Sequence, residues 1–197
     1  MILRYMLSLL VLVVAAGAQA ADDVVCPSMN ANSVASTPTS RFEAVGGANV
    51  ADFSGAPIVK DKVTGLMWAK CPLGVATNTL GECVASLATV RYTFADAVQA
   101  AEGSTLGSYT DWRVPNIKEL GSIVERKCHS PAANLAVFAG TGEVFEAPFW
   151  TSTPVKVTVG YDMWRVDFFH GNSFYGGVTT SADADKLMLR VVRGPVP

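Results

Sequence analysis

Cysteine offers this chain its most reactive chemistry, and four cysteines are present: Cys26, Cys71, Cys83 and Cys128. No two of them stand two to four residues apart, so a zinc-ligand pattern is absent. Only His129 and His170 could add nitrogen ligands. An even cysteine count in an exported chain reads instead as two disulfides, for which three pairings exist. Cys71 and Cys83 flank a loop rich in Pro, Gly, Asn and Thr, which predicts a local Cys71–Cys83 bond. Cys26 then pairs with Cys128 and ties down the N-terminal arm. Loop entropy assigns each bridge roughly 3–5 kcal/mol.

Catalytic patterns are missing. The sequence holds no Gly-x-Ser-x-Gly elbow, no phosphate-binding glycine loop and no His-Glu-x-x-His signature. Asp183 and Asp185 form an Asp-x-Asp pair, but calcium takes six to eight oxygens and no further carboxylate stands near them in sequence. The expectation is a non-enzyme with no metal and no cofactor. A binding surface has better support. Tyr161, Trp164, Arg165, His170, Asn172, Phe174 and Tyr175 cluster around a predicted hairpin. Aromatic faces stack on the apolar faces of sugars, and Asn, Arg and His can bond hydroxyls or sulfates. Aromatic and Arg anchors serve protein contacts equally well. Against this, alternating strand residues are normally half buried, which would make Trp164 and Phe174 core.

The elements that position these residues start with an export signal. Arg4 precedes an apolar run from Met6 to Ala16, and Ala18-Gln19-Ala20 gives the small-x-small pattern of signal-peptidase cleavage. The run is too short to span a membrane, which takes about 20 apolar residues. Residues 1–20 are therefore expected to be a signal peptide, 21–40 a polar N-terminal arm and 41–197 a single domain. Removing the leader with Arg4 takes the 15 basic residues to 14 against 17 acidic ones, a formal charge of −3. That balance excludes a nucleic-acid partner, which calls for a basic patch.

Two helices carry clear punctuation. Thr93 caps a helix over Phe94–Glu102, with Asp96 three residues on and Gly103 as its stop. Phe94, Ala97, Val98 and Ala101 form one apolar face. Asn116 caps a second helix from Ile117 to about Lys127, with Glu119 completing a capping box after Pro115. Ile117, Leu120, Ile123 and Val124 make its buried stripe. Lys118, Glu119, Glu125, Arg126 and Lys127 read as its solvated face. Short strands are expected at Ile58–Lys60 and Leu66–Trp68 around a Thr64-Gly65 turn. A strand around Trp164–Phe169 turns at His170-Gly171-Asn172 and returns over Ser173–Val178, and a last strand runs over Leu187–Val192. Early strands, central helices and late strands give an α+β domain braced by disulfides.

Several strings occur in a specific order. Thr64-Gly65-Leu66-Met67-Trp68 precedes the Cys71–Cys83 loop. Asp111-Trp112-Arg113-Val114-Pro115-Asn116-Ile117-Lys118-Glu119-Leu120 follows the first helix. Phe149-Trp150-Thr151-Ser152-Thr153 comes next, and Arg190-Val191-Val192-Arg193-Gly194 closes the series. This order resembles the Lcl C-terminal domain family, named for a collagen-like bacterial adhesin, over about Thr37 to Gly194. The resemblance implies a C-type-lectin-like fold, with two helices flanking small antiparallel sheets, in the branch that also holds the formylglycine-generating enzymes. Those oxidases work through cysteines near the C-terminal region, and here no cysteine follows Cys128. It also implies an adhesin-like module for glycans, sulfated ones among them, at the cell surface, in the periplasm or secreted. The alternative is an assembly module that contacts another envelope protein, with homo-oligomerisation compatible with either. Ala44–Ile58 and Gly140–Ala147 depart from the family's usual loops, and loops set ligand specificity more than fold. Trp68, Asp111, Trp112, Arg113, Pro115, Glu119, Trp150, Arg190 and Arg193 carry the motifs and are read as structural. Arg190 and Arg193 fall on opposite strand faces, one buried and paired, the other exposed.

Overall fold

The computed structural model describes residues 24–30, 32–46, 53, 55–78, 82–84, 90–140, 144–175 and 185–194. The proposed signal peptide, Asp183 and the second half of the Ser173–Val178 return strand lie outside them. Strands appear in the order β1 (Ser28–Met29), β2 (Phe42–Val45), β3 (Ile58–Asp61), β4 (Met67–Ala69), β5 (Ala76–Thr77) and β6 (Cys83–Val84). Helices α1 (Phe94–Glu102) and α2 (Ile117–Ser122) follow, then β7 (Cys128–His129), β8 (Phe149–Lys156), β9 (Tyr161–Asp167), β10 (Asn172–Phe174) and β11 (Val192–Arg193). The chain is an α+β domain of small antiparallel sheets. One sheet runs β11-β4-β3-β2 and another β10-β9-β8, while β1 pairs with β7 and β5 with β6. Both disulfides, Cys71–Cys83 and Cys26–Cys128, are present as paired from the sequence.

Helix α1 has the bounds its punctuation predicts. Thr93 accepts from the Asp96 N–H, and Gly103 closes the C-terminus. Ala97 and Ala101 are buried, against a core that includes Trp112, Trp150, Leu189 and Val191. Helix α2 has its capping box, but it stops at Ser122, well short of Lys127. The reason is Glu125, which was expected in solvent and is fully buried. Its carboxylate accepts from the Ser36 N–H at 3.0 Å, the Thr37 N–H at 2.6 Å, the Thr37 hydroxyl at 2.8 Å and the Lys127 N–H at 2.8 Å. The chain leaves the helix at Ile123 so that this carboxylate can meet the arm. The Ser36 hydroxyl donates to the Val124 carbonyl, and the Arg126 N–H donates to the same hydroxyl. The arm is thus ordered by far more than Cys26. Thr37 is fully buried, and the Asn134 carboxamide bonds its carbonyl.

Asp61 organises the β3–β4 turn. It pairs with Arg41 and accepts from the Thr64 hydroxyl and the Val63 N–H, while Gly65 takes a positive φ of 75°. Gly107 is required for a different reason. Its φ is 63°, and a Cβ there would sit 2.3 Å from the Ile58 side chain. The residues from Leu187 to Val192 are buried throughout rather than on alternate faces. Arg190, 1 % exposed, bonds the Ala69 and Lys70 carbonyls and lies over Phe138 and Phe149 at 4.9 and 5.8 Å. Burial pulls its pKa down to about 9.

Candidate functional site

The family-motif residues are absorbed by the fold. The Asp111 carboxylate accepts from Arg193 Nε at 2.6 Å, and Arg193 lies 3.8 Å over the Tyr109 ring. That hydrogen bond holds the Asp111 carboxyl below the usual range. Trp112 is buried and donates to the Leu106 carbonyl. Arg113 forks onto Glu119 at 2.8 and 2.7 Å. Glu119, assigned to a solvated face by its sequence, is 4 % exposed. Burial pushes its carboxyl up, but bonds from Arg113 and the Asn116 N–H outweigh this and leave it lowered. Pro115 is buried and its carbonyl accepts from Ser152, which ties the α2 entry to β8. Trp68 and Trp150 are core residues. Among the described residues, no group of three or more His, Cys, Asp or Glu is arranged to hold a metal ion.

The seven hairpin residues do not converge on one site. Strand β9 is central in its sheet and pairs with β10 in the register Asn172–Asp167, Ser173–Val166 and Phe174–Arg165. Arg165, predicted to face ligand, is 6 % exposed. It ion-pairs with Asp162 at 3.6 Å and Asp185 at 3.3 Å and lies 5.1 Å over the Trp150 ring. A register shift in β8 between Trp150 and Pro154 breaks the simple two-residue alternation of this ladder. Asp185 is engaged by this ion pair.

Two aromatic rings do meet at the end of β10. Trp164 is half-buried, and its ring meets Tyr175 edge-on at 5.0 Å. Tyr175 is 51 % exposed; Phe174, 37 % exposed, stands opposite Arg165 and so projects from the other face of the sheet. The Thr151 hydroxyl donates to the Trp164 carbonyl at 2.6 Å, fixing the strand beneath them. Asn172, three residues from Tyr175 and about 10 Å away at strand rise, stands at the opposite end of β10, with His170 in the turn before it. Asp167 organises that turn: its carboxylate accepts from the Phe169 N–H at 2.7 Å and meets His170 Nδ1 at 2.6 Å. Tyr161 lies apart, 68 % exposed beside the β8–β9 turn.

The turn end also forms a polar cleft of about 220 Å³, lined in part by Asn30, Arg126, His129, His170 and Asn172. Sequence reading found only His170 and Asn172 of these. His129 follows the predicted bridge residue Cys128, and that adjacency was the available signal; nothing in the sequence placed Asn30 or Arg126 nearby.

The family model of the Lcl C-terminal domain matches residues 57–193. The chain belongs to the Lcl C-terminal domain family. No curated protein and no solved structure matches it. The family motif strings are the segments just described: the Asp111–Leu120 string builds the α2 entry, and Arg190 and Arg193 anchor the last strand. Disulfides and an adhesin-related domain are consistent with export. No helix among the described residues is long and apolar enough to cross a membrane.

Proposed function

We propose that this protein is an exported, non-catalytic binding module of C-type-lectin-like architecture, and that its ligand is a glycan. The single observation behind this reading is the exposed aromatic pair of Trp164 and Tyr175 on one face of the β9–β10 sheet. The other three tryptophans, Trp68, Trp112 and Trp150, are buried. A half-buried indole braced edge-on by an exposed tyrosine is a rigid amphipathic platform, and such rings dominate contact energetics when covered. Membership of an adhesin-related family supports the same reading. Cleavage before Ala21 would release the domain into a compartment where its two disulfides persist.

A second reading, assembly with another envelope protein, draws on a different feature. Val159 and Tyr161 at the β8–β9 turn are 89 % and 68 % exposed. A glycan-array screen of the mature protein separates the two. Binding that is lost in a folded Trp164→Ala variant supports the first reading. Absence of binding to any glycan removes it in favour of assembly.

A further inference from the structure

The chain has two histidines, and the fold brings both to one cleft with an arginine. His129 comes from β7 and His170 from the β9–β10 turn. Two backbone bonds zip their segments together: the Ser130 N–H donates to the Phe169 carbonyl at 3.0 Å, and the Ala132 N–H to the Phe168 carbonyl at 2.6 Å. A third wall is the arm. Ser28 pairs with His129, the Asn30 N–H donates to the Lys127 carbonyl at 2.8 Å, and Cys26–Cys128 locks the two strands. The walls are therefore set before anything binds, which removes ordering cost from the binding step.

The donor inventory decides what fits. Arg126 uses its backbone N–H on Ser36 and its carbonyl on the Asn30 carboxamide. Its guanidinium makes no hydrogen bond or ion pair among the described residues. Among the described residues, no Asp or Glu lines the cleft. Asp167, whose carboxylate touches a lining side chain, is engaged at His170 Nδ1. The cleft thus offers a permanent cation, the exposed imidazole of His129 and the exposed carboxamide of Asn172, in a chain whose net charge is −2. A guanidinium fork matches the oxygens of carboxylate and phosphate. A cleft of about 220 Å³ suits one such group and not a length of polymer.

We propose that the cleft between β7 and the β9–β10 turn binds a compact oxyanion, a carboxylate or phosphate group. Arg126 supplies the charge and His129 and Asn172 add hydrogen bonds. This site shares no residue with the aromatic face, so it stands or falls separately from the glycan reading. Inorganic phosphate, acetate, glucose and glucose 6-phosphate are titrated into mature protein at fixed pH and constant ionic strength, with the two histidine ring resonances followed by NMR. Saturable shifts of both rings with phosphate are expected, with a Kd at least tenfold weaker in Arg126→Gln and unchanged in Trp164→Ala. Arg126 is exposed, so Arg126→Gln folds, and its amide spectrum verifies this. Tighter binding of glucose 6-phosphate than of phosphate assigns the group to a larger ligand; equal binding assigns a free ion. Shifts that rise linearly with every anion, or that survive Arg126→Gln intact, overturn the proposal.

Discussion

Replacing Glu125 with Gln tests how the N-terminal arm joins the domain. The carboxylate takes four hydrogen bonds, all from the arm or from Lys127, and is fully buried. Gln is isosteric, but its amide nitrogen donates and must face N–H groups that also donate. Each hydrogen bond to a charged group is worth about 1.5–3 kcal/mol, and an orphaned buried donor costs a similar amount. Keeping half of the network removes two such bonds, a loss of about 3–6 kcal/mol. For a chain of this size that lowers Tm by about 6–24 °C. The loss is tied to pH. Burial pushes the Glu125 carboxyl up, but bonds from Ser36, Lys127 and Thr37 outweigh it and leave it lowered. A carboxyl lowered by folding contributes stability that is complete above its unfolded value, about 4.3, and is lost as pH falls through the folded value. The gap between wild type and Glu125→Gln should therefore be full at pH 7 and close progressively below about pH 4.3. Thermal melts of both proteins from pH 7 to pH 3 make the measurement. A Gln variant that melts within a degree of wild type at pH 7 would refute the arm's role.

Other substitutions test separate parts of the account. Arg190→Ala removes the bonds to the Ala69 and Lys70 carbonyls and the packing on Phe138 and Phe149; a loss of about 3–5 kcal/mol is expected in urea melts. Gly107→Ala meets Ile58 at a backbone φ of 63° and should cost about 1–3 kcal/mol by the same assay. Arg165→Ala strands the buried Asp162 carboxylate, so it should lower stability and not act as a selective binding variant; an unchanged Tm with lost glycan binding would contradict that assignment. Peptide mapping without reductant should recover 26–128 and 71–83 linkages, and a 26–71 peptide would contradict the fold.

Local signals were legible in the residues. Thr93, Asp96 and Gly103 bound α1 because capping needs only neighbours in sequence. The disulfides followed from spacing, and the His170-Gly171-Asn172 turn from glycine's freedom at a φ of 75°. Charge patterning misled where the partner was remote. Glu119 and Glu125 look like solvent residues on a helix, but their stabilising donors come from Arg113 and from the arm some 90 positions earlier. The hairpin candidates divided for a related reason. Strand alternation put Arg165 outward, while Asp185, from a returning segment, pairs with it in a buried position. The polar cleft was invisible because arm, β7 and hairpin turn meet only in three dimensions.

A glycan bound as proposed meets the aromatic pair of Trp164 and Tyr175. Three of the four tryptophans are buried, so acrylamide quenching of the mature protein reports chiefly on Trp164. Quenching is measured with and without a saturating concentration of the best array-selected glycan. The accessible tryptophan fraction should fall on binding, and the effect should disappear in Trp164→Ala. A glycan that binds while Trp164 stays equally open to acrylamide would contradict this contact.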